Sequence, residues 1–499
     1  MRFLRCVVPF ALVASLAAQQ RPRPHLVLVF ADDLGWTDLS TGRTCDGNGS
    51  PYHRTPNLDA LAEQSTCFPE AYSSGPNCAP TRAALWSGQW AARTGVYTVD
   101  SGARGRAEHR RLTPAANATV LSPEVVTLAE TLAAAGYATG LFGKWHLGDA
   151  KHGTGPGQQG FARAVGGDHR GGVGKAGHFA DEHGAFELPG LGANGIAGQF
   201  LADRLTDEAI AWLGTVEGPS FCVVSHYSVH TPIMAPESDV DATAKPDPGA
   251  RHQTRRYAAM LKNLDDTVGR LVAFLAEHDD PAWPGHKLAD NTVLVFTSDN
   301  GGVGGYHAAG IDGGQEITNQ LPLRSGKGSL NEGGVRVPFF VRWPGVTPAG
   351  AIDRTPLQTF DLYPTFAALA GAKLPESQPI DGVDLSARFR GEGEVAPRAL
   401  LWNFPGYLEA NAQRGTWRST PVATIRRGDW KAMFWFETRS WSLFDLAHDV
   451  GEARDLAAEQ PEQLAPLAAE LRSWLARSAA PLPRGADGAP VPLPDAPSR

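Results

Sequence analysis

A cysteine followed two and four positions later by proline and arginine, Cys78-Ala79-Pro80-Thr81-Arg82, is where spacing first suggests chemistry. It lies between the turn residues Ser74-Gly75-Pro76-Asn77 and a helical pattern, so position 78 opens a helix. A group there meets free N–H donors and the positive end of the dipole, which suits work on an anion. Pro80 falls in the first turn, where its missing N–H costs nothing. Arg82, one turn on, is expected to turn back toward position 78. Taken alone, the motif also fits a buried structural cysteine.

The acidic groups are Asp32-Asp33 and Asp299-Asn300, each ending an apolar run. Adjacent carboxylates on a buried strand end repel each other and are costly without a cation. Four oxygen-bearing side chains converging there suit a hard ion, Ca²⁺ or Mg²⁺, although either pair alone is ordinary turn chemistry. Nitrogen groups follow the same kind of run. Lys144 and His146 stand in Gly143-Lys-Trp-His146, His230 in Ser228-Val-His-Thr-Pro232, and Lys327 in a glycine-rich stretch. His169, Arg170, His178, His307 and Arg324 are further candidates for substrate contact. A lone histidine or lysine of this kind is more often structural or solvated.

The elements that must position these groups read as an α/β fold. Runs at 25–31, 138–142, 221–225 and 292–297 are continuous and apolar, as in parallel strands covered on both faces. Helical spacing occupies 57–64, where Thr55-Pro56 is the start signal, as well as 126–135 and 200–213. The fold class expected is a large mixed, mostly parallel sheet flanked by helices, with a smaller C-terminal antiparallel sheet plus a helix. The polar clusters follow strand ends, where open α/β sheets place ligands. Residues 25–375 are expected to form the catalytic domain, with 153–198 a long site-lining loop. Residues 376–478 form the smaller domain, with strands at 400–404, 424–427 and 430–436 and a helix at 461–477. Residues 479–499 are expected to be a disordered tail.

The 499 residues carry 42% hydrophobic and 20% charged side chains, enough for ordinary cores. The net charge of −8 has no basic stripe, which argues against nucleic acid and leaves any anionic substrate to local groups. Residues 1–18, with a basic start and a short apolar run, read as a signal peptide. No later run is long enough to span a membrane. The mature chain is therefore expected to be exported, to a bacterial periplasm or exterior. Cys45, Cys67 and Cys222 would remain beside Cys78, and their pairing is open.

In order along the chain, these segments resemble the sulfatase family of the alkaline-phosphatase superfamily. Phe30-Ala-Asp-Asp-Leu-Gly35 and Thr297-Ser-Asp-Asn-Gly301 are similar to its two metal strands. Cys78-Ala-Pro-Thr-Arg-Ala-Ala-Leu-Trp-Ser-Gly88 resembles its signature, with Thr81, Trp86 and Ser87 as mild departures. Gly143-Lys-Trp-His-Leu-Gly148 resembles the second signature, and Arg324 to Pro338 the lysine-bearing segment. Leu443-Phe-Asp-Leu446 and Asp449-Val-Gly-Glu452 look like its second domain.

The resemblance implies a type I sulfatase in which a formylglycine-generating enzyme oxidises Cys78. It implies Asp32, Asp33, Asp299, Asn300 and modified Cys78 as ligands of Ca²⁺, in preference to Mg²⁺. Arg82 and Lys144 would hold the formylglycine hydrate, and His230 and Lys327 would contact the sulfate and leaving oxygen. His146 would act as the base. The implied cycle has a hydroxyl of the hydrate attack sulfur while His230 or Lys327 protonates the leaving alcohol. His146 then deprotonates the second hydroxyl to expel sulfate. The substrate implied is a sulfated small molecule or glycan. Two alternatives stay open, a phosphodiesterase or phosphonate monoester hydrolase of the same superfamily and a non-catalytic binder of sulfated glycans.

Overall fold

The computed structural model describes residues 21–192 and 195–493. The expected signal peptide lies outside the described residues. The central sheet has seven strands: β1 (His25–Ala31), β2 (Thr66–Cys67), β3 (Ala138–Gly143), β4 (Arg163–Val165), β5 (Ser220–Ser225), β6 (Thr292–Ser298) and β7 (Phe339–Arg342). Their spatial order is β2-β7-β6-β1-β5-β3-β4, with only β7 reversed against its neighbours. Every residue of β1, β5 and β6 is buried, which explains their lack of polar alternation. One apolar layer, with Val27, Val29, Leu205 and Leu264, lies on one face, and Leu28, Trp86 and Phe366 belong to the layer on the other.

The helices that the spacing called for are present, and others join them, among them Leu362–Ala370 and the long helix Arg255–Glu277. The helix α1 (Pro56–Glu63) has its proline in the first turn, and α2 (Cys78–Ser87) is buried along its whole length. A reciprocal cap between Thr127 and Glu130 starts α3 (Leu128–Ala134). The next helix, α4 (Leu201–Leu213), packs against α5 (Arg255–Glu277). Helix α5 is not among those the spacing predicts; Tyr257, Leu261, Leu264, Val268, Leu271 and Leu275 form its buried stripe.

The C-terminal sheet is antiparallel, ordered β8 (Ala399–Phe404), β9 (Val422–Arg427), β10 (Trp430–Trp435) and β11 (Ser440–Asp445). The helix α6 (Pro461–Arg477) covers it through Leu464, Leu471 and Trp474. A separate two-stranded hairpin pairs Leu408–Asn411 with Thr416–Ser419. Residues 479–493, expected as disordered tail, instead pack on the C-terminal sheet and α6. Arg484 bridges Thr113 and Pro490, and Val491 and Leu493 are buried in the same cluster as Trp474. Two alternating apolar side chains supply a contact that the Pro/Ala/Gly composition concealed. Cys45, Cys67, Cys78 and Cys222 are all buried and unpaired. No described helix is long and apolar enough to cross a membrane.

Candidate active site

Four neighbouring strands, β6, β1, β5 and β3, end at one place, and backbone bonds tie the segments leaving them together. The amide of Asp299 donates to Ala31 O (3.2 Å), that of Asp32 to Ser228 O (3.0 Å), and that of Lys144 to Ser225 O (2.8 Å). The segment after β6 is held likewise, Lys327 N donating to Gly302 O at 2.9 Å. Helix α2 then brings Cys78 to these strand ends.

Three acid–base pairs surround position 78. Lys144 Nζ lies 2.6 Å from Asp32 Oδ2, and Lys327 Nζ lies 2.6 Å from Asp33 Oδ1. Arg82 donates from Nε and Nη2 to Asp299 Oδ2, at 3.0 and 2.9 Å. Its Nη1 goes to Lys144 O (2.8 Å) and Ser225 Oγ (2.7 Å). Arg82 was expected to hold residue 78 directly. All its side-chain bonds instead go to Asp299, Lys144 and Ser225, because the guanidinium fork matches a carboxylate and two flanking oxygens that only the folded strand ends bring together. Lys144 is paired with Asp32, and its charge also acts on the Cys78 thiol.

Two buried oxygens are left over. Asp32 Oδ1 and Asn300 Oδ1 are buried without a hydrogen-bond partner, while Asn300 Nδ2 donates to Asp33 Oδ1 at 2.8 Å. Ligand atoms of Asp32, Cys78 and Asp299 lie within 4.8 Å of one another. Buried orphan acceptors are costly, and an oxygen-rich set of this kind fits a hard divalent cation. The electrostatics agree. Burial and the facing Asp32 carboxylate push Asp299 up to about 6, despite Arg82. Burial resists the charge on Asp33 most strongly, but Lys327, His230 and Lys144 together outweigh it and hold that carboxyl well below the usual range.

The thiol of Cys78 is buried, and burial raises its pKa although Lys144 and Lys327 oppose the shift. His146 is held far below its ordinary value by burial and by Lys144. His230, 3.7 Å from Asp33 Oδ2 through Nε2, is pushed down to about 3 by burial and Lys327. Burial disfavours the Lys327 ammonium too, yet the Asp33 carboxylate keeps it protonated.

A cleft of about 510 Å³ opens over this group, with Asp33, Cys78, His146, His230 and Lys327 in its wall. Of the further candidates, His169 and Arg170 line it. The loop carrying them packs so closely that a Cβ on Gly171 would sit 2.4 Å from His146 Cε1. His178 does not line the cleft: it stacks on Phe200 and meets the His230 carbonyl at 3.3 Å, a supporting position. Arg324 turns to Glu452 O (3.0 Å), and His307 is exposed beside Glu316. Asn77, Asp100, Arg104, Gln315 and Arg418 also line the cleft and were missed. Four of them stand in ordinary loops and Arg418 on a short polar strand, so nothing in the sequence marked them.

The family model for sulfatases matches residues 24–372. The chain belongs to the sulfatase family. A second model, the N-sulphoglucosamine sulphohydrolase C-terminal domain, matches residues 326–480. A sulfatase of Formosa agariphila is 35% identical over 95% of this chain and 94% of the relative. The N-acetylgalactosamine-6-sulfatase of Sus scrofa is 30% identical over 86% of this chain and 76% of the relative. Among solved structures, Ps i-CgsB in complex with k-i-k-neocarrahexaose matches with a TM-score of 0.71 and 28% identity, covering 91% and 92% of the two chains. Membership in this family makes the protein a sulfuric ester hydrolase.

Proposed function

We propose that this sulfatase acts on a sulfated carbohydrate, with a formylglycine made from Cys78 as nucleophile and Ca²⁺ held by Asp32, Asp33, Asp299, Asn300 and the group at position 78. The observation that carries this reading is the trio of acid–base pairs closed around Cys78 with two orphaned oxygens among them. The pairs balance one another, so a divalent cation would leave the pocket positive and able to draw in an anion despite the chain's net charge of −8. The two sugar-acting relatives, an N-acetylgalactosamine-6-sulfatase and a protein in complex with an oligosaccharide, support the carbohydrate assignment.

A bound divalent cation supplies Lewis acidity, withdrawing charge from sulfate oxygens and lowering the pKa of a hydroxyl it holds. Formylglycine supplies, as its hydrate, one hydroxyl for attack and a second through which sulfate can be expelled. A plain thiol is ill suited here, because burial raises the pKa of Cys78 and nucleophilicity belongs to the thiolate. The remaining chemistry belongs to side chains already placed. Lys327, kept cationic by Asp33, faces the cleft and donates the proton to the leaving alcohol oxygen. His230, held neutral, is suited to orienting the sulfate more than to protonating the alcohol. His146, also neutral, accepts the proton whose loss releases product. Arg82 and Lys144 fix the carboxylates of Asp299 and Asp32, acting as positioning residues.

Export of the chain and modification by a formylglycine-generating enzyme belong to the same reading. The test is sulfate release from a panel of sulfated mono- and oligosaccharides by protein co-expressed with that enzyme, beside Cys78→Ala. Release by the wild type and loss in the variant are expected. Release undiminished in Cys78→Ala, or a clear kcat/KM preference for an aryl phosphate diester over the matched aryl sulfate, would overturn the proposal.

A further inference from the structure

One cation in the cleft lacks a carboxylate. Lys327 is paired with Asp33, Arg170 with Asp168, and Arg104 with Glu409. Arg418 makes no ion pair or side-chain hydrogen bond with any described residue, and its Nε is buried without a partner. Its guanidinium lies 4.7 Å over the ring of Tyr306. Such a stack fixes the direction of an arginine while leaving its planar fork of donors unused.

The supports of Arg418 tie it to the reacting centre. Tyr306 OH donates to Lys327 O at 2.7 Å, and Gly328 N donates to Pro76 O at 2.7 Å, two residues before Cys78. Gly328 has φ +89, and a Cβ there would lie 2.2 Å from Leu408 Cδ2 and 3.6 Å from Arg418 Cδ. The hairpin of the C-terminal domain is therefore pressed on the chain segment that joins Lys327 to the turn before Cys78. Cys78, Lys327, Leu408 and Arg418 all line the one cleft, so a ligand filling it meets both position 78 and Arg418.

We propose that Arg418 is a specificity-determining residue that binds a second anionic group, a carboxylate or a further sulfate, on the saccharide whose sulfate ester is cleaved. The proposal rests on the carbohydrate-sulfatase reading and narrows its substrate class to saccharides with two or more anions. A bidentate guanidinium–oxyanion contact gives strong, directional recognition.

The test compares mature full-length protein with Arg418→Gln and Arg418→Lys. The probes are glucosamine 6-sulfate, glucosamine-2-N,6-O-disulfate and a uronate-bearing disaccharide with one 6-sulfate. Arg418→Gln is expected to lower kcat/KM for the doubly anionic sugars about tenfold more than for the singly anionic one. The loss should fall mainly in KM, and Arg418→Lys should recover part of it. A selective loss on only one of the two doubly anionic probes would support the proposal and identify the oxyanion. Equal factors on all three sugars, or no loss, would overturn it. Calorimetric titration of the same sugars into Cys78→Ser protein, with and without Arg418→Gln, reads Arg418 without turnover. If the wild type released no sulfate, the carbohydrate reading would fail by itself. Weaker binding of the doubly anionic sugars to the Arg418→Gln protein would still uphold this site, and equal or absent binding would refute it.

Discussion

Replacing Arg82 distinguishes a residue that holds the nucleophile from one that holds a carboxylate. The guanidinium and the Asp299 carboxylate are both fully buried, and four donor contacts of 2.7–3.0 Å tie Arg82 to Asp299, Lys144 O and Ser225 Oγ. Removing one partner of a buried pair strands the other charge, at a cost of about 3–5 kcal/mol. Arg82→Lys keeps the charge but loses the fork, sacrificing two of the contacts at about 1 kcal/mol each, so roughly 2 kcal/mol. The comparison belongs in a Cys78→Ser background, where maturation of the motif cannot intervene, and is read by equilibrium denaturation. The expected order is wild type, then Arg82→Lys, then Arg82→Ala. Combining Arg82→Ala with Asp299→Asn should cost less than the two single losses summed, by about 1–3 kcal/mol, because the groups are directly coupled. Additive losses, or an Arg82→Ala midpoint equal to wild type, would refute the pairing argument.

Three further outcomes follow from the same geometry. Lys431 is buried between Glu332 (2.9 Å) and Glu452 (2.8 Å), joining the C-terminal sheet to the Lys327 segment. Lys431→Met should destabilise by about 3–5 kcal/mol in denaturant titrations, and adding Glu332→Gln and Glu452→Gln should recover part of that; an unchanged midpoint would contradict it. His53, His178 and His226 are pushed down to about 4, 4 and 3 by burial. Unfolded histidines titrate near ~6.5, so below that pH the unfolded chain binds protons that the folded one refuses, and stability falls by about 1.4 kcal/mol per pH unit for each. Thermal midpoints should therefore drop between pH 6.5 and 4, and a flat profile would exclude these groups as its source. Chelation should lower the thermal midpoint and Ca²⁺ restore it, with about 2.7 kcal/mol gained at a hundredfold excess over Kd. Calorimetry on Asp299→Ala should show that affinity lost, whereas retained Ca²⁺ binding would move the metal elsewhere.

Much of the framework was legible because burial on both faces leaves a plain mark. The strands ending at Asp32, Lys144, His226 and Asp299 are uninterrupted apolar runs, and each polar cluster begins where such a run stops. Seven of the ten candidate residues, Asp32, Asp33, Lys144, His146, His230, Asp299 and Asn300, could be gathered from those endings, since adjacent parallel strands must finish side by side. Which base serves which acid could not. Arg82 is one turn from Cys78 in sequence, but its partners come from the last residue of β5 and the residues just after β6 and β3, a convergence with no local signal. Arg418 was invisible for a related reason: its hairpin is short and polar, and only the fold sets it beside Lys327 and Tyr306. The tail at 479–493 misled because proline and alanine dominated its composition while Val491 and Leu493 made the contact.

Peptide mass spectrometry across residue 78, on protein co-expressed with a formylglycine-generating enzyme and assayed for sulfate release in parallel, tests the central claim most directly. The account predicts an aldehyde or its hydrate in place of the thiol, with specific activity rising in proportion to the modified fraction. Full sulfatase activity from protein whose Cys78 remains an intact thiol would contradict it.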